Sequence, residues 1–230
     1  MKMQRLKTII HFIEKNSIVA DIGTDHGVVP IYLIEENIAK KVIATDISKP
    51  SLEKLENKLQ EKAGSLNIET RCSDGLKQIL PFEVDTIIIS GMGGVLIEEI
   101  LSHSIETAKT ASTLILQPNN AVDHLRRWLL YNGFYIENEK DLFENRKYYT
   151  ILCVKRGLDK PYTETEYKFG RRLIENQSIV LKKYLIHLKD EKSSILTELN
   201  SIGSSSASER INELQKDINE INEVIEAYDS

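Results

Sequence analysis

At 230 residues, with 41% hydrophobic and 28% charged side chains, the chain exceeds one common domain, falls short of two, and is too apolar to be disordered over most of its length. No apolar run approaches the ~20 residues of a spanning helix, and Met1-Lys2-Met3-Gln4-Arg5 opens an amphipathic stretch without a secretory core, so a cytoplasmic protein is expected. The net charge of -5 hides its distribution: residues 160 to 192 carry eight Lys and Arg against five Asp and Glu, while residues 193 to 230 carry two against eight.

The first ~155 residues alternate short Val- and Ile-rich runs with amphipathic segments, the pattern of a parallel sheet with crossover helices. Strands are predicted at 17–22, 41–45, 67–71, 84–89 and 113–117, with two more near 134–138 and 148–155. This is an α/β reading: a Rossmann-like, doubly wound, seven-stranded sheet. After Asp46, Ser48-Lys49-Pro50 supplies a cap and a first-turn proline before Leu52, Leu55 and Leu59 recur on one helical face. After Asn119, a helix carrying Val122, Leu125, Trp128 and Leu129 stops at Asn132-Gly133. Cys72 and Cys153 are the only cysteines, lie in separate strand-like runs, and read as two core thiols.

Pro161 marks the end of the alternation, so a first domain is expected over 1–157 and a helical one over 158–230. Tyr167, Ile174, Leu181, Leu188, Ile195 and Ile202 recur every seven residues, and Ile211, Leu214, Ile218, Ile221, Ile225 and Tyr228 at spacings of three and four. Gly203 can stop one helix and Ser206 with Glu209 can start the next, which predicts an antiparallel coiled-coil hairpin. Its arms would be roughly 55 and 30 Å long, leaving the basic proximal stretch uncovered. Such a hairpin serves either as a substrate arm or for dimerisation; a monomer is favoured.

Asp21-Ile22-Gly23-Thr24-Asp25-His26-Gly27 puts glycines between a strand end and a helix, where backbone must approach a ligand closely. The glycine spacing departs from the dinucleotide fingerprint, and Asp25 would repel a pyrophosphate but engage an amino acid's ammonium. Asp46 ends the second strand, 23 residues beyond Gly23, where a carboxylate can hold both ribose hydroxyls. Asp74 ends the third, where it can accept from an adenine amine or merely cap a helix. Their neighbours Ile47, Ser73 and Gly75, with Gly91, Met92 and Gly93 after the fourth strand, complete the expected cofactor contacts.

Three acids at successive strand ends resemble the class I S-adenosylmethionine-dependent methyltransferases. The Asp21 to Gly27 turn, Ser90-Gly-Met-Gly-Gly94, Leu116-Gln-Pro-Asn119 and the helical tail resemble, more narrowly, the bacterial tRNA (adenine(22)-N1)-methyltransferases, the TrmK family, in which Gly27 replaces an expected alanine. The resemblance implies S-adenosyl-L-methionine as cofactor, N1 of adenine at tRNA position 22 as acceptor, and a Rossmann-like domain with a coiled-coil tail.

N1 already carries a free lone pair, so positioning matters more than a strong base. Gln117 and Asn119 are the candidate catalytic residues, Asn119 being also a candidate helix cap. His26 reads as a donor to the cofactor's carboxylate rather than a base. The other histidines have no ligand spacing, and no metal is expected. Arg126 and Arg127, Arg146 and Lys147, and Lys168, Arg171, Arg172, Lys182 and Lys183 are the candidate RNA contacts, the last two pairs being 11 residues apart and so on one side of a continuous helix. The alternatives are a methyltransferase of another RNA, protein or small molecule with a dimerising hairpin, and a non-catalytic nucleotide-binding adaptor.

Overall fold

The apolar runs become seven strands, β1 (Ser17–Ile22), β2 (Ala39–Asp46), β3 (Ile68–Cys72), β4 (Thr86–Met92), β5 (Thr113–Pro118), β6 (Phe134–Glu144) and β7 (Lys147–Arg156). They pair in the order β3-β2-β1-β4-β5-β7-β6, the first five parallel and β7 antiparallel to both neighbours. The computed structural model describes residues 3–62, 66–202 and 208–228 and divides into two compact units, Met1–Lys160 and Pro161–Ser230.

The helices of the first unit are α1 (Met3–Ile10), α2 (Val28–Glu35), α3 (Lys49–Glu61), α4 (Gly94–His103), α5 (Ile105–Thr110) and α6 (Val122–Tyr131); the expected alternation fails between β3 and β4, which a helix-free connection joins, and two helices lie between β4 and β5. Ile87, Ile88 and Ile89 are all buried, as a central strand covered on both faces requires. Leu6 and Ile9 of α1 pack with Val19, Val29 and Ile151, which pins this first helix to the sheet. Pro50 lies in the first turn of α3, and Leu52 and Leu55 bury its inner face. Gly133, at φ 82°, follows the end of α6 as a C-terminal glycine should. The chain winds outward from β1 to β3 and returns to β4, so the order reverses between β1 and β4. Their carboxyl ends flank the crevice in which doubly wound sheets bind ligands.

Cys153 is buried, but Cys72 is exposed. Strand β3 is the sheet's edge and Cys72 its last residue, so the expected second core thiol lies where the covering layer has ended.

The second unit comprises α7 (Glu164–Phe169), α8 (Arg171–Glu175), α9 (Ile179–Ile202) and α10 (Ser208–Ala227). α9 and α10 pair, burying Leu181 and Leu185 of one and Leu214, Ile218, Ile221 and Val224 of the other within this unit. The long first arm is not one helix. Gly170 (φ 94°) and Gln177 (φ 48°) interrupt it, so a heptad pattern that spans both breaks cannot keep one face. The short segments fold back on α10: Lys168 reaches Asp217 and Glu220, and the Tyr228 hydroxyl donates to the Leu173 carbonyl. The part of the proximal stretch in α7 and α8 is therefore covered, contrary to the rod-like expectation, while Lys183 of α9 stays exposed. A capping box does occur, at Thr163 and Glu166 where α7 starts. The one expected at Ser206 and Glu209, with the Gly203 stop and the Ile202 side chain, lies outside the described residues.

Candidate active site

A cleft of about 590 Å³ opens along the carboxyl ends of β1 to β5, within the size range of small-ligand sites. Asp21, Asp46 and Asp74 all line it, as do Gly23, Asp25, Met92 and Asn119. The backbone ties the strand ends together. Gly23 and Thr24 donate to the Thr45 carbonyl at 2.8 and 2.9 Å, and Ser73 donates to that of Asp46 at 2.9 Å. Gly23 sits at φ 73°, and a β-carbon there would lie 2.2 Å from the Met92 Cε. Glycine thus both permits the turn and lets Met92 cross over it.

Asp21 is buried at the end of its strand. Burial pushes its carboxyl up to about 6 from the usual 3.8; the Thr24 hydroxyl opposes this shift and the Asp46 charge adds to it. Such a group gains from a ligand cation that restores its charged form. One Asp46 oxygen accepts from the Ser48 amide at 2.7 Å, which fixes the carboxylate at the mouth of the cleft. Asp74 is more exposed, and Lys77, at 2.5 Å, holds its carboxyl below the usual range. Ile47, exposed beside Asp46, together with Ser73 and Gly75, completes this end.

At the other end, the turn after β4 and the end of β5 form one hydrogen-bonded unit. Asn119 donates from its amide nitrogen to the Met92 carbonyl at 2.7 Å and from Nδ2 to the Gly91 carbonyl at 2.6 Å. Gln117 Nε2 donates to Asn119 Oδ1 at 3.1 Å, and Ser90 Oγ donates to Gln117 Oε1 at 3.2 Å. The Asn119 carboxamide is therefore locked. It does not cap α6, whose N-cap position is Ala121. Close packing at Gly94, where a β-carbon would meet the Ala121 carbonyl oxygen at 2.5 Å, holds the two turns together.

Several expected residues do not line the cleft. Gln117 is fully buried and touches Asn119 instead, so it can orient a neighbour but cannot touch a substrate. Thr24 is buried beneath the turn, Gly27 is packed against Leu55, and Gly93 faces Asn120. The His26 ring lies 3.2 Å from Asp25, and its carbonyl accepts from Lys58. Arg5, Val28, Val29, Leu96 and Ile100 line the cleft although no sequence signal marks them. None stands in a motif; each is one more helix residue until the fold brings it to the strand ends.

The expected RNA contacts divide sharply. Arg126 is 1% exposed and donates from Nε to Glu139 at 2.8 Å, so it is a buried ion pair and not a surface cation. Arg171 pairs with Glu166 and Glu175, and Arg172 with Glu175. Burial works against the Lys168 charge, but Glu220 and Asp217 more than offset it and raise its pKa. Lys182 lies over the Tyr228 ring. The break at Gln177 also removes the argument that put Arg171 and Arg172 on one helix side with Lys182 and Lys183. Arg127 is half-buried, while Lys183 is exposed. Arg146 and Lys147, exposed at the β6–β7 turn, make no ion pair with a described residue.

Among the described residues no helix is long and apolar enough to cross a membrane. The donor set suits a nucleoside sulfonium: an uncomfortable buried carboxyl for a cation, a fixed acid for a ribose, and a glycine turn that admits the linking atoms. Sheet order and cleft together define the class I S-adenosylmethionine-dependent methyltransferase fold. A family model described as a methyltransferase domain matches residues 2–152. The chain is 31% identical to the tRNA (adenine(22)-N(1))-methyltransferase of Bacillus subtilis over 83% of its own length and 82% of that protein's. It therefore belongs to the tRNA (adenine(22)-N1)-methyltransferase family. Among solved structures, Sp1610 of Streptococcus pneumoniae in complex with S-adenosyl-L-methionine superposes with a TM-score of 0.85 at 30% identity, covering 98% of this chain and 100% of the other. TrmK of M. capricolum, in complex with S-adenosyl-homocysteine, gives 0.84 at 27% identity, covering 99% of each.

Proposed function

We propose that this chain transfers a methyl group from S-adenosyl-L-methionine to N1 of the adenine at position 22 in tRNA. The observation that carries the reading is the convergence of Asp21, Asp46 and Asp74 on one cleft that ends at a locked carboxamide, Asn119. When bound, the cofactor supplies a methyl carbon made electrophilic by its sulfonium. Asp21 and the Gly23 turn hold the ammonium end, Asp46 the ribose, and Asp74 with Ile47 the purine. Asn119 Oδ1 keeps a second lone pair beyond its bond from Gln117, and this accepts from the adenine amino group as positive charge develops on the ring. Gln117 is then a positioning residue, one bond removed from the substrate.

Arg146 and Lys147 are the first candidates for phosphate contact. Leu152 pairs with Leu116, so Lys147 stands three residues, or roughly 10 Å at strand rise, past the end of β5 on the cleft edge. Asn145 and Arg146 both take positive φ, which makes a tight two-residue turn that presents these cations to solvent. Phe143, half-exposed on the same hairpin, offers a face for stacking. The reading also includes action in the cytoplasm without a metal, and as a monomer, since the apolar seam of α9 and α10 is buried within one chain.

The test is nucleoside mapping by mass spectrometry after incubating purified protein, cofactor and unmodified tRNA. One methyl on N1 of the adenine at position 22 is the expected product, and it should vanish from a transcript that carries guanine in place of that adenine. Methylation elsewhere, of protein, or not at all would replace this reading with one of its alternatives.

A further inference from the structure

Among the described residues, the cleft holds four carboxylates, Asp21, Asp25, Asp46 and Asp74, and a single cation, Arg5. An isolated arginine in such company would ordinarily form an ion pair, yet no carboxylate of the described residues lies at ion-pair distance from it. Its Nε is buried with no hydrogen-bond partner. A buried guanidinium N–H without an acceptor costs stability unless a ligand supplies one.

The side chain is also held in place. Leu6, the next residue, and Ile9 anchor α1 in the core beside Val19 and Val29, the β1 and α2 residues that frame the glycine turn. The Arg5 guanidinium carbon lies 4.9 Å from the centre of the Tyr149 ring. This cation–π contact fixes the guanidinium without consuming its N–H groups. Arg5 is thus a preorganised fork of donors at the β1 end of the cleft.

That end is where the amino-acid part of the cofactor falls once Asp46 takes the ribose and Asp74 the purine. An amino acid is a zwitterion: Asp21 and Asp25 match its ammonium but leave its carboxylate among acids. We propose that Arg5 binds the α-carboxylate of the cofactor, so that it selects ligands carrying an intact amino acid over truncated ones. This inference rests on the reading that the cleft is the cofactor site. A tRNA phosphate could seek the same donors, and the test separates the two.

Binding is measured by calorimetry for wild type and Arg5→Met against S-adenosylhomocysteine and against its decarboxylated analogue, which keeps amine, thioether and nucleoside. The wild type should favour the carboxylated ligand, and Arg5→Met should weaken it by about 10- to 100-fold, as expected for lost charge-assisted bonds, while changing the analogue's affinity by less than about threefold. Arg5→Lys should recover only part of the preference, because a point charge replaces a planar fork. Tyr149→Leu should shift the same ratio more mildly. Because the readout is a ratio of two ligands on one protein, general destabilisation does not imitate it. Equal losses for both ligands, or none, would overturn the proposal. A fall in tRNA affinity with the ligand ratio unchanged would assign Arg5 to phosphate instead. Failure of the wild type to bind either ligand would count against the cofactor site itself.

Discussion

In the first unit Asp21, Asp25 and Asp46 face a cleft where Arg5 is the only cation among the described residues, while in the second Lys168, Arg171 and Arg172 each meet an acid a few residues away or on the facing helix. The contrast teaches where free electrostatic capacity lies. A parallel sheet must end all its strands on one edge, and the carboxyl ends there cannot be covered by the crossover helices, so charged groups stay available to a ligand. A helical hairpin has no such edge. Its cations and the acids of the opposite helix sit within reach of one another and neutralise locally, which leaves little for a polyanion.

The largest effect should follow removal of a cleft acid that has no ion-pair partner among the described residues. Asp46→Ala is expected to weaken cofactor binding by about 100-fold, the loss of two hydrogen bonds to a charged group, with little change in melting temperature. Calorimetry measures it, and a change below tenfold would break the contrast at its strongest point. Asn119→Ala should lower turnover by about 100-fold while leaving cofactor affinity within threefold. Gln117→Ala should act in the same direction but less, since it only orients the amide; equal losses in affinity and turnover would mean a structural role for both.

Asp21 sharpens the comparison through pH. Its folded value is raised to about 6 from 3.8, so the native state holds the extra proton between these values. Stability from this group is therefore highest at low pH, falls as pH rises through about 4 to 6, and stays lower above, by about 3 kcal/mol for a shift of this size. The melting temperature of Asp21→Asn relative to wild type should rise over that window and then level. Cofactor affinity should move oppositely, tightening as pH rises through about 6. A flat difference curve would show that burial does not perturb this carboxyl.

The smallest effects separate the two candidate RNA surfaces. Arg146→Glu with Lys147→Glu should lower tRNA affinity by about tenfold and reduce the salt slope by about 2, while Arg171→Glu with Arg172→Glu should change affinity by less than about threefold. Filter binding at several salt concentrations decides this. A larger loss from the helical pair would return the RNA contact to the second unit.

Sequence alone determined the order and type of the strands in the first unit, because strands buried on both faces must be continuous apolar runs and acids at their ends stand out against them, whereas the crossover helix expected between the third and fourth strands does not form. Asp21, Asp46 and Asp74 were legible for that reason, as was the glycine turn. The buried Arg126–Glu139 pair, the exposed Cys72 and the breaks at Gly170 and Gln177 were not, since each depends on what packs around a residue and not on its type or spacing. Arg5 belongs with them: only folding brings α1 to the strand ends and sets one guanidinium, stacked and short of an acceptor, among four carboxylates.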